Sequence, residues 1–202
     1  MLKKITLLSA ITASAFAMHT GEININNKDL ELSAKFDMGQ FNSAVEPNTM
    51  FLGGKFLNAD NEHSDNKDAA NFDPYYEVNF LMMRPIGNQG MRIGMGAKVN
   101  HIKDFTSLPL GLQFAYKIPA PTLVPMHLNG ELYYAPSALA FEKADDFLEY
   151  RLSYDIEIIK NGNITLGYRK LETNYDGLYG YAVHGGDFTY NSSWYVGFKI
   201  GF

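Results

Sequence analysis

Between residues 148 and 158 the chain reads LEYRLSYDIEI. Leu148, Tyr150, Leu152, Tyr154, Ile156 and Ile158 fall on one side, and Glu149, Arg151, Ser153, Asp155 and Glu157 on the other. A period of two is the spacing of an extended strand, because successive side chains point to opposite faces. The same alternation runs through 30–38, where Leu30, Leu32, Ala34, Phe36 and Met38 oppose Glu31, Ser33, Lys35 and Asp37. It returns at 91–100, at 110–117 and at the C-terminus, where Trp194, Val196, Phe198, Ile200 and Phe202 alternate with Tyr195, Gly197, Lys199 and Gly201. Less regular strands are predicted at 21–27, 49–58, 75–84, 126–135 and 163–174, and no amphipathic helix of useful length competes with them. The chain is predicted to be all-β, with antiparallel neighbours.

The connections sort by length. Short or compact links fall at 84–90, 118–125 and 159–163, and longer polar ones at 58–73, 135–146 and 175–190. They alternate along the chain, so an up-and-down meander gathers the short turns at one end and the long loops at the other, the arrangement of an outer-membrane barrel. Adding 21–27 as the first strand, joined to the second by a tight turn near Asn27 and Lys28, gives ten strands, an even number; eight is the alternative.

Alternation does not say whether the apolar face looks inward, as in a lipocalin-like binder, or outward into lipid. Three features favour lipid. The better strands hold about 9 to 11 residues, the length a tilted membrane strand needs. Aromatic residues gather near predicted strand ends (Tyr75, Tyr76, Tyr133, Tyr134, Tyr150, Tyr168, Trp194, Phe202), where an interfacial girdle would lie. The polar face carries both signs of charge: Lys35, Lys55, Glu77, Arg92, Lys98, Lys117, Glu131, Glu149, Arg151, Asp155, Glu157, Arg169 and Lys199 are all predicted to face the lumen. Charges buried in so narrow an interior are costly unless paired, so a plugged, salt-bridged lumen is expected, with a narrow polar pore as the open alternative.

Composition narrows the destination. With 202 residues, 46% hydrophobic and 19% charged, the chain suits one domain and is too apolar for disorder. Lys3 and Lys4, the apolar run from Ile5 and the Ala15-Phe16-Ala17 triplet form a signal peptide over 1–17, leaving 18–202 as the barrel. Its loss takes the formal charge from −5 to −7, unsuited to nucleic acid. The chain has no cysteine, which excludes disulfides and thiolate chemistry. The expected destination is the outer membrane, with its lipids, lipopolysaccharide and barrel assembly machinery as partners and a monomer as the expected state. Trp194, Val196, Phe198, Ile200 and Phe202 are read as the signal that this machinery recognises.

The segment 133–173, with Tyr133-Tyr134-Ala135-Pro136-Ser137, Glu149-Tyr150, Leu166-Gly167-Tyr168-Arg169 and Glu172-Thr173, followed by the terminal WYVGFKIGF, resembles the YfaZ family of Gram-negative outer-membrane proteins. The resemblance implies a small outer-membrane barrel and brings no established activity with it.

Candidate chemistry is sparse. The histidines are His19, His63, His101, His127 and His184, and neither G-x-S-x-G nor H-E-x-x-H occurs. A loop grouping of His184, Asp187 and Ser137 is the one route to a barrel enzyme acting on lipid A or peptides; solvated polar loop residues are the simpler reading. The acidic loop 58–73 has Asp65 where an EF-hand needs glycine and Asn71 where it needs glutamate, so it is no calcium loop of that kind. No catalytic residue, metal or cofactor is expected.

Overall fold

Each alternating segment forms a strand. The computed structural model describes residues 19–60, 73–102, 105–119, 124–142, 144–175 and 186–202. The predicted signal peptide, most of the acidic loop 58–73 and His184 lie outside the described residues. The strands are β1 (Thr20–Ile25), β2 (Leu30–Asp37), β3 (Met50–Asn58), β4 (Tyr75–Ile86), β5 (Met91–Ile102), β6 (Phe105–Ser107), β7 (Leu110–Lys117), β8 (Met126–Ala135), β9 (Ala140–Glu142), β10 (Ala144–Ile159), β11 (Gly162–Tyr175) and β12 (Gly186–Gly201).

Ten of these close a ring. Antiparallel pairing runs β1-β2-β3-β4-β5-β7-β8-β10-β11-β12 and returns from β12 to β1. The fold is a closed, ten-stranded, up-and-down barrel. The short strands β6 and β9 pair with each other, and β6 also folds back on the end of β5, forming a small tongue at the long-loop end that the alternation did not predict. Both are three residues long, too short for a period to register.

Link lengths depart from the predicted asymmetry at one place. The long link 38–49 between β2 and β3 sits at the short-turn end, tied down by Asp37, whose carboxylate accepts from the backbone N–H of Gly39 at 3.0 Å and of Asn48 at 2.8 Å. At the opposite end the β1–β2 turn is tight because the Asn26 side-chain oxygen accepts from the N–H groups of Lys28 (2.8 Å) and Asp29 (2.7 Å). Such a side-chain-closed turn is what asparagine favours.

Polarity across the wall is inverted relative to a water-soluble barrel. Leu32, Val78, Met95, Leu112, Leu132, Leu152, Leu166 and Val196 point outward and are exposed, Met95 to 71%. Lys55, Glu77, Lys98, Glu149, Arg151 and Arg169 point inward and are buried. This is the reverse of the lipocalin-like alternative. Two residues assigned to the aromatic girdle behave differently: Tyr75 and Tyr133 are wholly buried and face the lumen. Strand parity dictates it, since Tyr75 is two residues from inward Glu77 and Tyr133 two from inward Glu131. Tyr76, Tyr134 and Trp194 do face outward, and Tyr150, Tyr168 and Trp194 form a row of ring contacts across β10, β11 and β12.

Candidate functional site: the charged lumen

Inward positions from strands on all sides of the ring converge at mid-height. Lys55, Glu149, Lys98 and Glu77 form a closed quadrilateral of alternating charge. Lys55 Nζ lies 2.6 Å from Glu149 Oε1 and 2.8 Å from Glu77 Oε2, and Lys98 Nζ lies 2.8 Å from Glu149 Oε2 and 3.4 Å from Glu77 Oε2. Each charge therefore has two opposite neighbours, which is how a water-poor interior tolerates four ions. Tyr75 donates its hydroxyl to Glu77 at 2.8 Å, Asn79 donates to the same carboxylate at 2.7 Å, and the Lys98 ammonium sits 3.9 Å from the centre of the Tyr133 ring.

A second cluster joins the other half of the ring. Arg169 of β11 reaches Asp29 at 3.1 Å and Glu31 at 3.2 Å, and its Nε donates to Asn191 at 2.8 Å. Arg151 pairs with the same Glu31. The Tyr195 ring lies beside both guanidinium groups, at 5.0 Å from Arg151 and 5.3 Å from Arg169. That ring fits because Gly167 on the neighbouring strand has no side chain; a Cβ there would collide with it. Nearer the short-turn end, Lys199 pairs with Asp155 at 2.7 Å and with Glu22 at 3.5 Å.

Above the charges, at the long-loop end, inward positions turn apolar. Leu57, Tyr75, Ile102, Phe105, Ala135, Phe147, Leu171, Phe188 and Tyr190 pack into one buried cluster, with Phe147 against Phe105 and Tyr75. Below the charges a cavity of about 190 Å3 opens toward the short-turn end, with Phe51, Leu81, Met83 and Ala115 among its apolar lining and Lys35, Arg92, Arg151 and Lys199 among its polar lining. From one end to the other the lumen holds an apolar cover, a charged belt and a blind pocket.

Of the residues predicted to face the lumen, Lys35, Lys55, Glu77, Lys98, Glu131, Glu149, Arg151, Asp155, Arg169 and Lys199 take part in these ion pairs. Three stand apart. Arg92 donates to the backbone carbonyl of Asn48 in the 38–49 link, Lys117 is exposed at the rim, and Glu157 accepts from the Asn161 N–H in the β10–β11 turn at 3.2 Å. Glu22, Asp29 and Glu31 were missing from the predicted set, although Glu31 and Asp29 lie at even spacing from Lys35 and so share its face.

Among the described residues the candidate bases His19, His101 and His127 stand apart from one another, and His63 and His184 lie outside the described residues. His19 Nδ1 accepts from the Asp37 N–H at 3.0 Å, His101 contacts Thr106 Oγ1 at 2.8 Å, and His127 is partly buried near the rim. Ser137 is exposed and Asp187 accepts from Asn174 at 3.2 Å, while His184 lies outside the described residues. No group of three or more potential metal ligands occurs among the described residues. Trp194, Val196, Ile200 and Phe202 are exposed on the outer wall. Phe202 exchanges both backbone hydrogen bonds with His19, at 2.9 and 3.0 Å, and the His19 ring contacts those of Phe36, Phe41 and Phe202.

The model of the YfaZ precursor family matches residues 2–202. The chain belongs to the YfaZ family. No curated protein matches it. The YfaZ match takes in every strand of the ring, so the charged belt, the apolar cover and the pocket all fall within the span that defines the family.

Proposed function

We propose that this chain is an integral outer-membrane protein of Gram-negative type, exported by the 1–17 signal peptide, and that it acts without enzymatic chemistry as a structural or surface barrel closed to solute flow. One observation carries the reading: the wall is apolar outside and charged inside. A continuous belt of exposed Leu, Ile, Val, Met and Phe far exceeds the apolar patches that water-soluble monomers tolerate, whereas in hydrocarbon it is the required surface. Closed pairing also leaves no open sheet edge around the ring, as a bilayer demands.

The closed lumen is supported by the burial of its charges. Lys98, Glu77, Glu149 and Arg169 have side chains exposed by 1% or less, so ions have no water-lined path past them. Lipids and lipopolysaccharide are the partners of the outer wall, and the barrel assembly machinery is the partner of the C-terminal strand. Membrane fractionation with heat-modifiable gel mobility tests the location, and recovery in the soluble periplasmic fraction would overturn it. Planar-bilayer recording tests closure: repeated insertions without discrete conductance are expected, and a reproducible single-channel step would replace the closed barrel with a pore.

A further inference from the structure

The blind pocket below the charged belt has the chemistry of a binding site. Its cavity of about 190 Å3 has a mixed lining, with Phe51, Leu81, Met83 and Ala115 among the apolar residues and Arg92 directly across the strand pair from Ala115. Four cationic side chains line it, Lys35, Arg92, Arg151 and Lys199, against two carboxylates, Glu22 and Glu131. Glu31, which pairs with Arg151, and Asp155, the nearer acid to Lys199, are not part of the lining, whereas Glu22, 3.5 Å from Lys199, is.

Several of these cations keep donor capacity in hand. Lys35 reaches Glu131 and Gln113 only at 3.5 Å, a weak separation for a charge-assisted bond. Among the described residues Arg92 has one hydrogen-bond partner, the Asn48 carbonyl, leaving most of its guanidinium free. Arg151, whose side chain is only 8% exposed, has a buried Nε with no partner among the described residues. A buried donor left unpaired is costly, and an entering acceptor relieves that cost. Guanidinium and ammonium groups lining one small cavity are the donors that recognise carboxylate or a similar planar anion.

We infer that this pocket binds a small organic anion, one carboxylate-like group attached to an apolar body about the size of a single ring. The anionic group lies among Lys35, Arg92 and Arg151, and the apolar body lies against Met83, Ala115, Leu81 and Phe51. The size limit follows from the volume, which is below the usual range of drug-sized pockets. Access is from the short-turn end, because the buried charged belt and the apolar cover fill the lumen on the other side of the cavity. The inference concerns the lumen alone and does not depend on the compartment in which the barrel resides.

Benzoate is the probe. The full chain is labelled at its methionine methyl groups and studied by NMR in uncharged detergent micelles. Met83 reports on the pocket, and Met95, on the outer wall at 71% exposure, reports on ligand that merely partitions into detergent. A saturable shift at Met83 without one at Met95 is expected, with benzylammonium and sulfate giving no comparable response. Lys35→Gln combined with Arg92→Gln should weaken benzoate at least about tenfold, the equivalent of one lost charge-assisted contact. Ala115→Leu, which adds bulk to the apolar lining and leaves the cations in place, should also abolish the Met83 shift. The inference is overturned if Met83 shows no saturable shift, if benzylammonium or sulfate matches benzoate, or if the charge variant binds as tightly as the parent.

Discussion

Lys55 and Glu149 meet at 2.6 Å although their strands stand on opposite sides of the barrel. Between β3 and β10 lie β4, β5, β7 and β8 one way round the ring and β2, β1, β12 and β11 the other. A contact between diametrically opposed strands is possible only if side chains fill the centre. It turns a ring of hydrogen-bonded neighbours into a cross-braced cylinder, because the lumen now joins strands that share no backbone hydrogen bond.

Breaking that brace is expected to cost more than its net contribution. Glu149→Gln removes a carboxylate shared by two buried ammonium groups, and a loss of about 3–5 kcal/mol is expected for leaving such charges uncompensated. Adding Lys55→Met should restore part of it, since residues in one ion-pair network couple by about 0.5–3 kcal/mol. Urea titration followed by gel mobility measures both, and strictly additive losses would show that the pair acts independently.

The outer wall gives a test that separates lipid from water. Leu166 is 52% exposed on the outer face of β11. Leu166→Arg should lower stability in bilayers by about 2–4 kcal/mol if that face is in hydrocarbon. On a water-exposed surface the same change should fall within about 0.5 kcal/mol. Refolding yields into vesicles against urea concentration distinguish the two.

Gly167 and Gly54 form a matched pair. A Cβ on Gly167 would strike the Tyr195 ring, which lies beside Arg151 and Arg169. A Cβ on Gly54 would have the Glu77 carbonyl oxygen as its one neighbour within 4 Å, at 3.5 Å. Gly167→Ala should therefore destabilise by about 1–3 kcal/mol through overpacking, with Gly54→Ala close to neutral. Equal effects in thermal gel-shift assays would remove the aromatic ring from the account of the lumen.

Deleting Phe202 removes the two backbone hydrogen bonds to His19 and the ring that contacts it. Lower outer-membrane abundance is expected, with the missing fraction degraded or retained in the periplasm. Quantitative blotting of membrane fractions checks it, and normal levels of the truncated chain would dissociate this residue from assembly.

The ring of strands was legible because a period of two leaves a long signal in segments such as 148–158. The order of link lengths carried the topology. The lumen was half legible. Charged residues announced their parity, but parity also pulls in whatever apolar residues share the face, and these look like lipid-facing residues when read singly. Tyr75, Tyr133 and Phe147 were hidden in that way, and with them the apolar cover. The pocket was invisible for another reason: it depends on which inward side chains stop short of the centre, a property of barrel radius and not of any local motif.

The seam between β1 and β12 joins Thr20 to Gly201, almost the whole chain apart. Neither terminal strand has its second partner until the two ends of the chain meet, so the ring closes only when both are present. The charged belt shares that schedule, because Asp29 and Glu31 near one end must find Arg169 and Arg151 near the other. Before closure the same sheet carries a greasy side and an ionic side, both uncovered. Closing the seam and silencing the buried charges are thus a single step, and a chain arrested short of it leaves both faces of the sheet bare.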